Sequence, residues 1–207
     1  MGKRDKKAGK GQKTAIVFII LIVVAALVLI GYYMLVRNNK KGEGSASLPR
    51  TEVGKLKAKD LELEYPGTPT EVVKLYWRLN KCLYNNSMRK KDFKELFQKQ
   101  RMLYDDEFLE AEGNSYEEME EAFQKDKAAF SKAKRLISSY IVDDDNQVKR
   151  GEVDGKECAT LTVSILETKK SKSMKTYASF ICRKSEDGKW KILGWEQDKG
   201  SDSDVKE

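Results

Sequence analysis

Apolar and polar positions follow three patterns in turn along the chain. Residues 15–36, AIVFIILIVVAALVLIGYYMLV, run for 22 positions without a charge. As a helix rising about 1.5 Å per residue, they span roughly 33 Å, enough for the roughly 30 Å hydrocarbon core of a bilayer. From Thr68 onward the apolar residues recur at helical spacing, and after Ser138 they alternate. The pattern predicts a transmembrane helix, then a group of helices, then a group of strands.

Within the helical stretch, Thr68 and Glu71 form a capping box, with Pro69 at the first helical position, where a missing N–H is no loss. The helix they open runs to about Asn85, with Val72, Tyr76, Leu79 and Leu83 as its stripe and Val73, Trp77 and Tyr84 beside it. Phe93, Leu96 and Phe97, then Leu103, Tyr104, Phe108 and Leu109, predict two short helices before the break at Gly113-Asn114. Ser115 and Glu118 repeat the capping box and open a long helix to about Ile137.

Strands are expected over 139–142, 158–168, 173–184 and 190–196, with a hairpin turn at Glu186-Asp187-Gly188-Lys189. Ala159, Leu161, Val163 and Ile165 share one face, and Thr160, Thr162 and Ser164 the other. Helices first and an antiparallel sheet after them give an α+β domain over 65–197. Around it lie a basic arm (1–14), the span (15–36), a linker or stalk (37–64) and a polar tail (198–207). Residues 50–64, with Leu56, Leu61 and Leu63, fit either a stalk or an extended segment lying on the domain.

Charge sharpens this picture. Nine of the 40 Lys/Arg and two of the 33 Asp/Glu lie in residues 1–48, leaving 31 of each beyond them. The net +7 therefore belongs to the flanks of the apolar run, and the domain is neutral. A nucleic-acid partner needs a basic face on the folded part, so none is expected. The arm fits anionic headgroups instead. Six basic residues before the run against three after it place the N-terminus in the cytoplasm and the domain outside the cell. The run is too long for a signal-peptide core and has no cleavage site close behind it.

The order of elements resembles the nuclear transport factor 2-like superfamily, a cone in which N-terminal helices close one side of a curled antiparallel sheet. The residues that carry the resemblance are Pro69-Thr70-Glu71-Val72-Val73-Lys74-Leu75-Tyr76-Trp77 and Asp187-Gly188-Lys189-Trp190-Lys191-Ile192-Leu193-Gly194-Trp195. More narrowly, the chain resembles a family of Gram-positive bacterial proteins with one N-terminal membrane span. The superfamily implies the cone but not an activity, since its architecture hosts isomerases, dehydratases and non-catalytic modules alike.

Candidate chemistry is sparse. Enzymes of the superfamily place an Asp or His, often with Tyr, inside the cone. This chain has no histidine, and Glu157, Glu167 and Glu196 fall at strand or chain ends rather than inside an apolar face. No catalytic set, metal-ligand cluster or cofactor motif is expected. Asp143-Asp144-Asp145-Asn146 lacks the Gly and Glu of a calcium loop and reads as a strand terminus.

Tyr76, Trp77, Tyr140, Tyr177, Trp190 and Trp195 are the candidate pocket, with Phe180 beside them; each also fits a core position. If the loop between the two central strands is Lys169-Lys170-Ser171, Cys158 faces Cys182 and a cross-strand disulfide becomes possible; otherwise both are buried thiols. The last strand shows the outer face of the sheet either Leu193 and Trp195 or Trp190 and Ile192, and an exposed set would suit a homodimer.

The expected function is a membrane-anchored, extracytoplasmic binding module whose partner is a small ligand, a peptide or an envelope protein. The alternatives are a cone-type enzyme acting on a small apolar substrate and a structural partner in a membrane complex. An enzyme calls for a closed cavity with an acid or Tyr pair pointing in, a binding module for a pocket without one, and a structural partner for a filled interior.

Overall fold

A computed structural model of the chain describes residues 51–113 and 115–198. The basic arm, the apolar run 15–36, positions 37–50 of the linker and the tail from 199 lie outside the described residues. Among the described residues no helix is long and apolar enough to cross a membrane.

The architecture is α+β, helices first and an antiparallel sheet after them. The helices are α1 (Glu52–Ala58), α2 (Pro69–Asn85), α3 (Lys90–Arg101), α4 (Asp106–Ala111) and α5 (Tyr116–Lys132). The strands are β1 (Arg135–Val142), β2 (Lys149–Val153), β3 (Lys156–Lys169), β4 (Lys172–Lys184) and β5 (Trp190–Asp198). Sheet order is β1-β3-β4-β5, with β2 also paired to β3. β1 lies against Val163 to Lys169 and β2 against Lys156 to Thr160, so the two are one interrupted strand along a single edge of β3. The acidic run marks the interruption: the Asp143 N–H donates to the Thr162 carbonyl (3.0 Å), and the Thr162 N–H donates to Asp143 Oδ2 (2.7 Å).

Capping fixes the starts of α2 and α5. Thr68 Oγ1 accepts from the Glu71 N–H at 3.2 Å, and Glu71 reaches back to the Gly67 N–H at 2.9 Å. Ser115 Oγ accepts from the Glu118 N–H at 3.2 Å. From its cap α2 runs to Asn85 and buries eleven residues, the predicted stripe among them.

The domain begins before residue 65. Positions 51–64 lie on the domain rather than standing off it as a stalk, and as a helix over Glu52–Ala58 rather than an extended segment there: α1 is capped by Thr51 and its Leu56 is buried, as is Leu61 after it. Polar contacts hold this segment down: Lys57 donates to Asp92 Oδ1 (2.6 Å), Arg78 to Glu52 Oε1 (2.7 Å) and Lys99 to the Lys57 carbonyl (2.9 Å).

α5 ends at Lys132 rather than near Ile137. Lys134 takes φ +55°, a conformation that breaks the helix, and Ile137 enters β1. A β-bulge follows at Ser138. There the Asn85 side chain donates to the Ile137 carbonyl (2.8 Å) and accepts the Ile137 N–H (3.0 Å), fixing the end of α2 to β1.

The register of β3 against β4 differs by one residue from the disulfide-forming alternative. The turn is Lys170-Ser171, closed by Lys169 opposite Lys172, with Lys170 at φ +57°. Cys158 then faces Arg183, Cys182 faces Ala159, and all three cysteines are free and buried. A one-residue slip moves a side chain to the other face, so Cys158 and Cys182 are not a cross-strand pair.

On the last strand neither expected set faces outward. A bulge between Ile181 and Cys182 of β4 leaves Leu193 of β5 without a partner, so Trp190 and Ile192 before it and Trp195 after it all lie on the inner face. Beyond β5, the Leu103 carbonyl accepts the Ile192 N–H (2.8 Å) and the Asp105 N–H donates to the Ile192 carbonyl (2.9 Å), which covers the sheet edge.

Candidate functional site

The inner face of β3 runs Ala159, Leu161, Val163, Ile165, and the first part of it packs tightly against α2. Leu83, Phe180, Cys182, Ile192 and Val163 have no exposed surface. Toward the other end of the sheet, side chains of α2, α4, α5 and the inner face leave a cavity of about 630 Å³. That lies within the roughly 300–1,000 Å³ usual for small-molecule sites.

Aromatic rings form much of its wall. Tyr76 and Trp77 come from α2, a capped helix whose apolar stripe turns them toward the sheet. Trp195 comes from β5, with Tyr104 and Phe108 next to it at the start of α4. The Trp195 ring centroid lies 5.7 Å from Tyr76, 6.1 Å from Tyr104 and 5.3 Å from Phe108. Trp195 stays 38% exposed although its cross-strand partner Phe180 is fully buried, because it stands at the cavity. Phe123 of α5 packs on Tyr84 at 4.7 Å, forming the opposite wall.

Polar groups sit among these rings. The rings of Tyr76 and Tyr104 lie 6.1 Å apart, and burial raises both phenols above their ordinary range. The Tyr84 hydroxyl donates to Asp126 Oδ2, and burial followed by that carboxylate raises it too. Arg135 pairs with Glu167 Oε2 through Nε at 2.9 Å and also through Nη2, with its guanidinium 4.7 Å from the Phe130 ring centre. Deeper in, Gln100 is fully buried and donates to Asn80 Oδ1 at 3.2 Å. Gln100 Oε1 and the Trp77 indole N–H have no partner in the structure.

Of the six candidate pocket residues, the structure brings Tyr76, Trp77 and Trp195 together at the cavity. Tyr140, Tyr177 and Trp190 do not line it. Tyr140 packs beside Trp77 at 5.9 Å and opens on a smaller hollow with Arg78 and Asn85. Tyr177 pairs with Ser164 on the outer face. Trp190 is buried where the core is closed, under the guanidinium of Arg150 at 5.4 Å.

Glu167 corrects the expectation from its strand-end position. It follows Ile165 on the inner face, lines the cavity and keeps only 14% of its side chain exposed. Continuing the alternation one step past the last apolar residue would have found it. Asp126 and Arg135 carried no such signal, since one lies on a polar helix and the other precedes the first expected strand. Among the described residues no group of three or more His, Cys, Asp or Glu is placed to hold a metal ion.

The chain belongs to the family described as a domain of unknown function (DUF6715), which matches residues 1–195. No curated protein matches it.

Proposed function

We propose that this is a single-pass membrane protein whose C-terminal domain, held outside the cell, is a cone-type binding module that takes a small ligand between its helices and its sheet. The observation that carries the reading is the aromatic-walled cavity of about 630 Å³ beside a core that is otherwise fully packed. An interior built only for structural assembly would be filled, since close packing is the default of protein interiors.

The uncharged run 15–36 and the basic excess before it support the anchor and its direction. The family match extends from residue 1 to 195, so it takes in the apolar run together with the domain and supports reading them as one unit. Helices laid over one face of an antiparallel sheet suit the nuclear transport factor 2-like cone.

The Tyr84–Asp126 contact on the cavity wall favours the second reading, an extracytoplasmic enzyme with Asp/Tyr chemistry. Against it, the cavity is open and Asp126 is exposed, whereas an acid tuned for proton transfer needs desolvation.

Two measurements test the proposal. Membranes washed with alkaline carbonate retain the chain, and protease added to intact cells cleaves within 49–207; recovery in the wash, or protection until lysis, contradicts the anchor or its direction. For the cavity, Ala178→Leu adds bulk at a lining position, so a small aromatic probe that binds the native chain fails to bind the variant. Equal binding by both contradicts the cavity as the site.

A further inference from the structure

Granting that the cavity is a ligand site, as proposed above, we infer that its ligand is an organic cation, an alkylated or quaternary ammonium carried on an apolar body. Four charged side chains line the cavity: Glu112, Asp126, Arg135 and Glu167. Arg135 and Glu167 satisfy each other through the two-nitrogen contact described above, so together they present no net charge. Asp126 accepts only the neutral Tyr84 hydroxyl, and neither Asp126 nor Glu112 has a cationic partner among the described residues. Two uncompensated carboxylates, both exposed at the mouth of one cavity, give it a negative potential that solvent and salt screen in part.

Those rings are the second half of the argument. The faces of Tyr and Trp carry negative quadrupole charge and attract a cation within about 6 Å, most strongly an alkylated ammonium that sheds its water readily. Burial holds Tyr76, Tyr84 and Tyr104 protonated, so they contribute neutral π faces rather than phenolates. An anion would meet Glu112 and Asp126 with no unpaired cation to receive it. A neutral apolar molecule would fill space but gain nothing from either carboxylate. The volume far exceeds that of one ammonium group, which leaves room for an apolar body against Trp77, Phe97 and Phe123.

The test uses the full chain in lipid nanodiscs, with empty nanodiscs subtracted, and three probes on one skeleton. They are benzyltrimethylammonium, the neutral alcohol 2,2-dimethyl-3-phenylpropan-1-ol and the anion 2,2-dimethyl-3-phenylpropanoate. Binding is read from tryptophan fluorescence and calorimetry. The cation binds at least tenfold more tightly than the alcohol, the anion binds most weakly, and Glu112→Gln with Asp126→Asn removes most of that order while the alcohol's affinity stays within twofold. If the alcohol or the anion binds as well as the cation, the cation assignment fails and the ligand site stands. If none of the three binds, both fail together.

Discussion

α2 and α5 are both 17 residues long and both open on a capping residue that accepts the N–H three positions on, yet α2 buries eleven residues and α5 buries only Phe130. The contrast separates what makes a helix from what makes a core. Caps act within one turn and are blind to what lies underneath. Burial depends on what the facing surface leaves room for. Under much of α2 the inner face of β3 and β4 is closed, and Val72, Leu79 and Leu83 fill it. Under α5 the cavity takes the place of core, and Met119 and Phe123 are only half-buried along its edge. α2 supplies both core and wall, since its Tyr76, Trp77 and Tyr84 line the cavity too, whereas α5 supplies wall and buries Phe130 alone.

Truncation gives the widest separation. Leu83→Ala in α2 destabilises the domain by about 2–5 kcal/mol, the range for a fully buried leucine whose site cannot collapse. Phe123→Ala in α5 removes a larger side chain yet costs less, about 1 kcal/mol, because the ring is only half-buried where it packs on Phe93 and Phe97. Urea titrations of both variants check this, and equal losses would erase the distinction between the helices.

Asn85 is the next lever, because it satisfies both backbone groups of Ile137 at the β1 bulge. Asn85→Leu leaves them unpaired and costs about 1–3 kcal/mol, seen as a lower denaturation midpoint at unchanged slope.

pH probes the closed half directly. Burial pushes the Cys182 thiol up to about 12. The folded state keeps this proton where the unfolded chain, with an ordinary thiol near 8.5, has lost it. Stability from this group is present below about pH 8.5 and drains away as pH rises toward the folded value, at up to about 1.4 kcal/mol per pH unit. Cys182→Ala flattens that alkaline slope between about pH 8.5 and 10, below the range of the tyrosines. With no disulfide, denatured protein never treated with reductant takes up three alkyl groups.

The smallest effects belong to the caps. Thr68→Ala and Ser115→Ala each remove one side-chain hydrogen bond worth about 1 kcal/mol. In hydrogen exchange the first weakens protection across the whole domain, whereas the second speeds exchange within α5 alone.

Much of the fold was legible because its signals are local. The capping boxes at Thr68 and Ser115, the alternation through Ile165 and the turn at Gly188 each need only a few neighbouring residues. What was not legible depends on partners distant in the chain. β2 is exposed at every position and shows no alternation, so pairing with β3 alone makes it a strand. The β3–β4 register turned on whether Lys170 accepts a left-handed φ, and the bulge at Leu193 on packing that brings Trp190, Ile192 and Trp195 to one face. Which candidate pocket residues reach the cavity depends on distant partners too. Trp190 and Trp195 share a strand and a face, and only the uneven filling of the interior assigns one to the core and the other to the cavity.

The three tryptophans turn that difference into a measurement. In full-length chain labelled with 5-fluorotryptophan and assigned through single Trp→Phe variants, the cation and the neutral alcohol are added in turn while fluorine NMR is recorded. With whichever probe binds, the Trp77 and Trp195 resonances shift saturably and Trp190 stays in place, because only the first two border the cavity. Shifts of all three together, or of none at concentrations where calorimetry detects binding, would contradict a ligand site between the helices and the sheet.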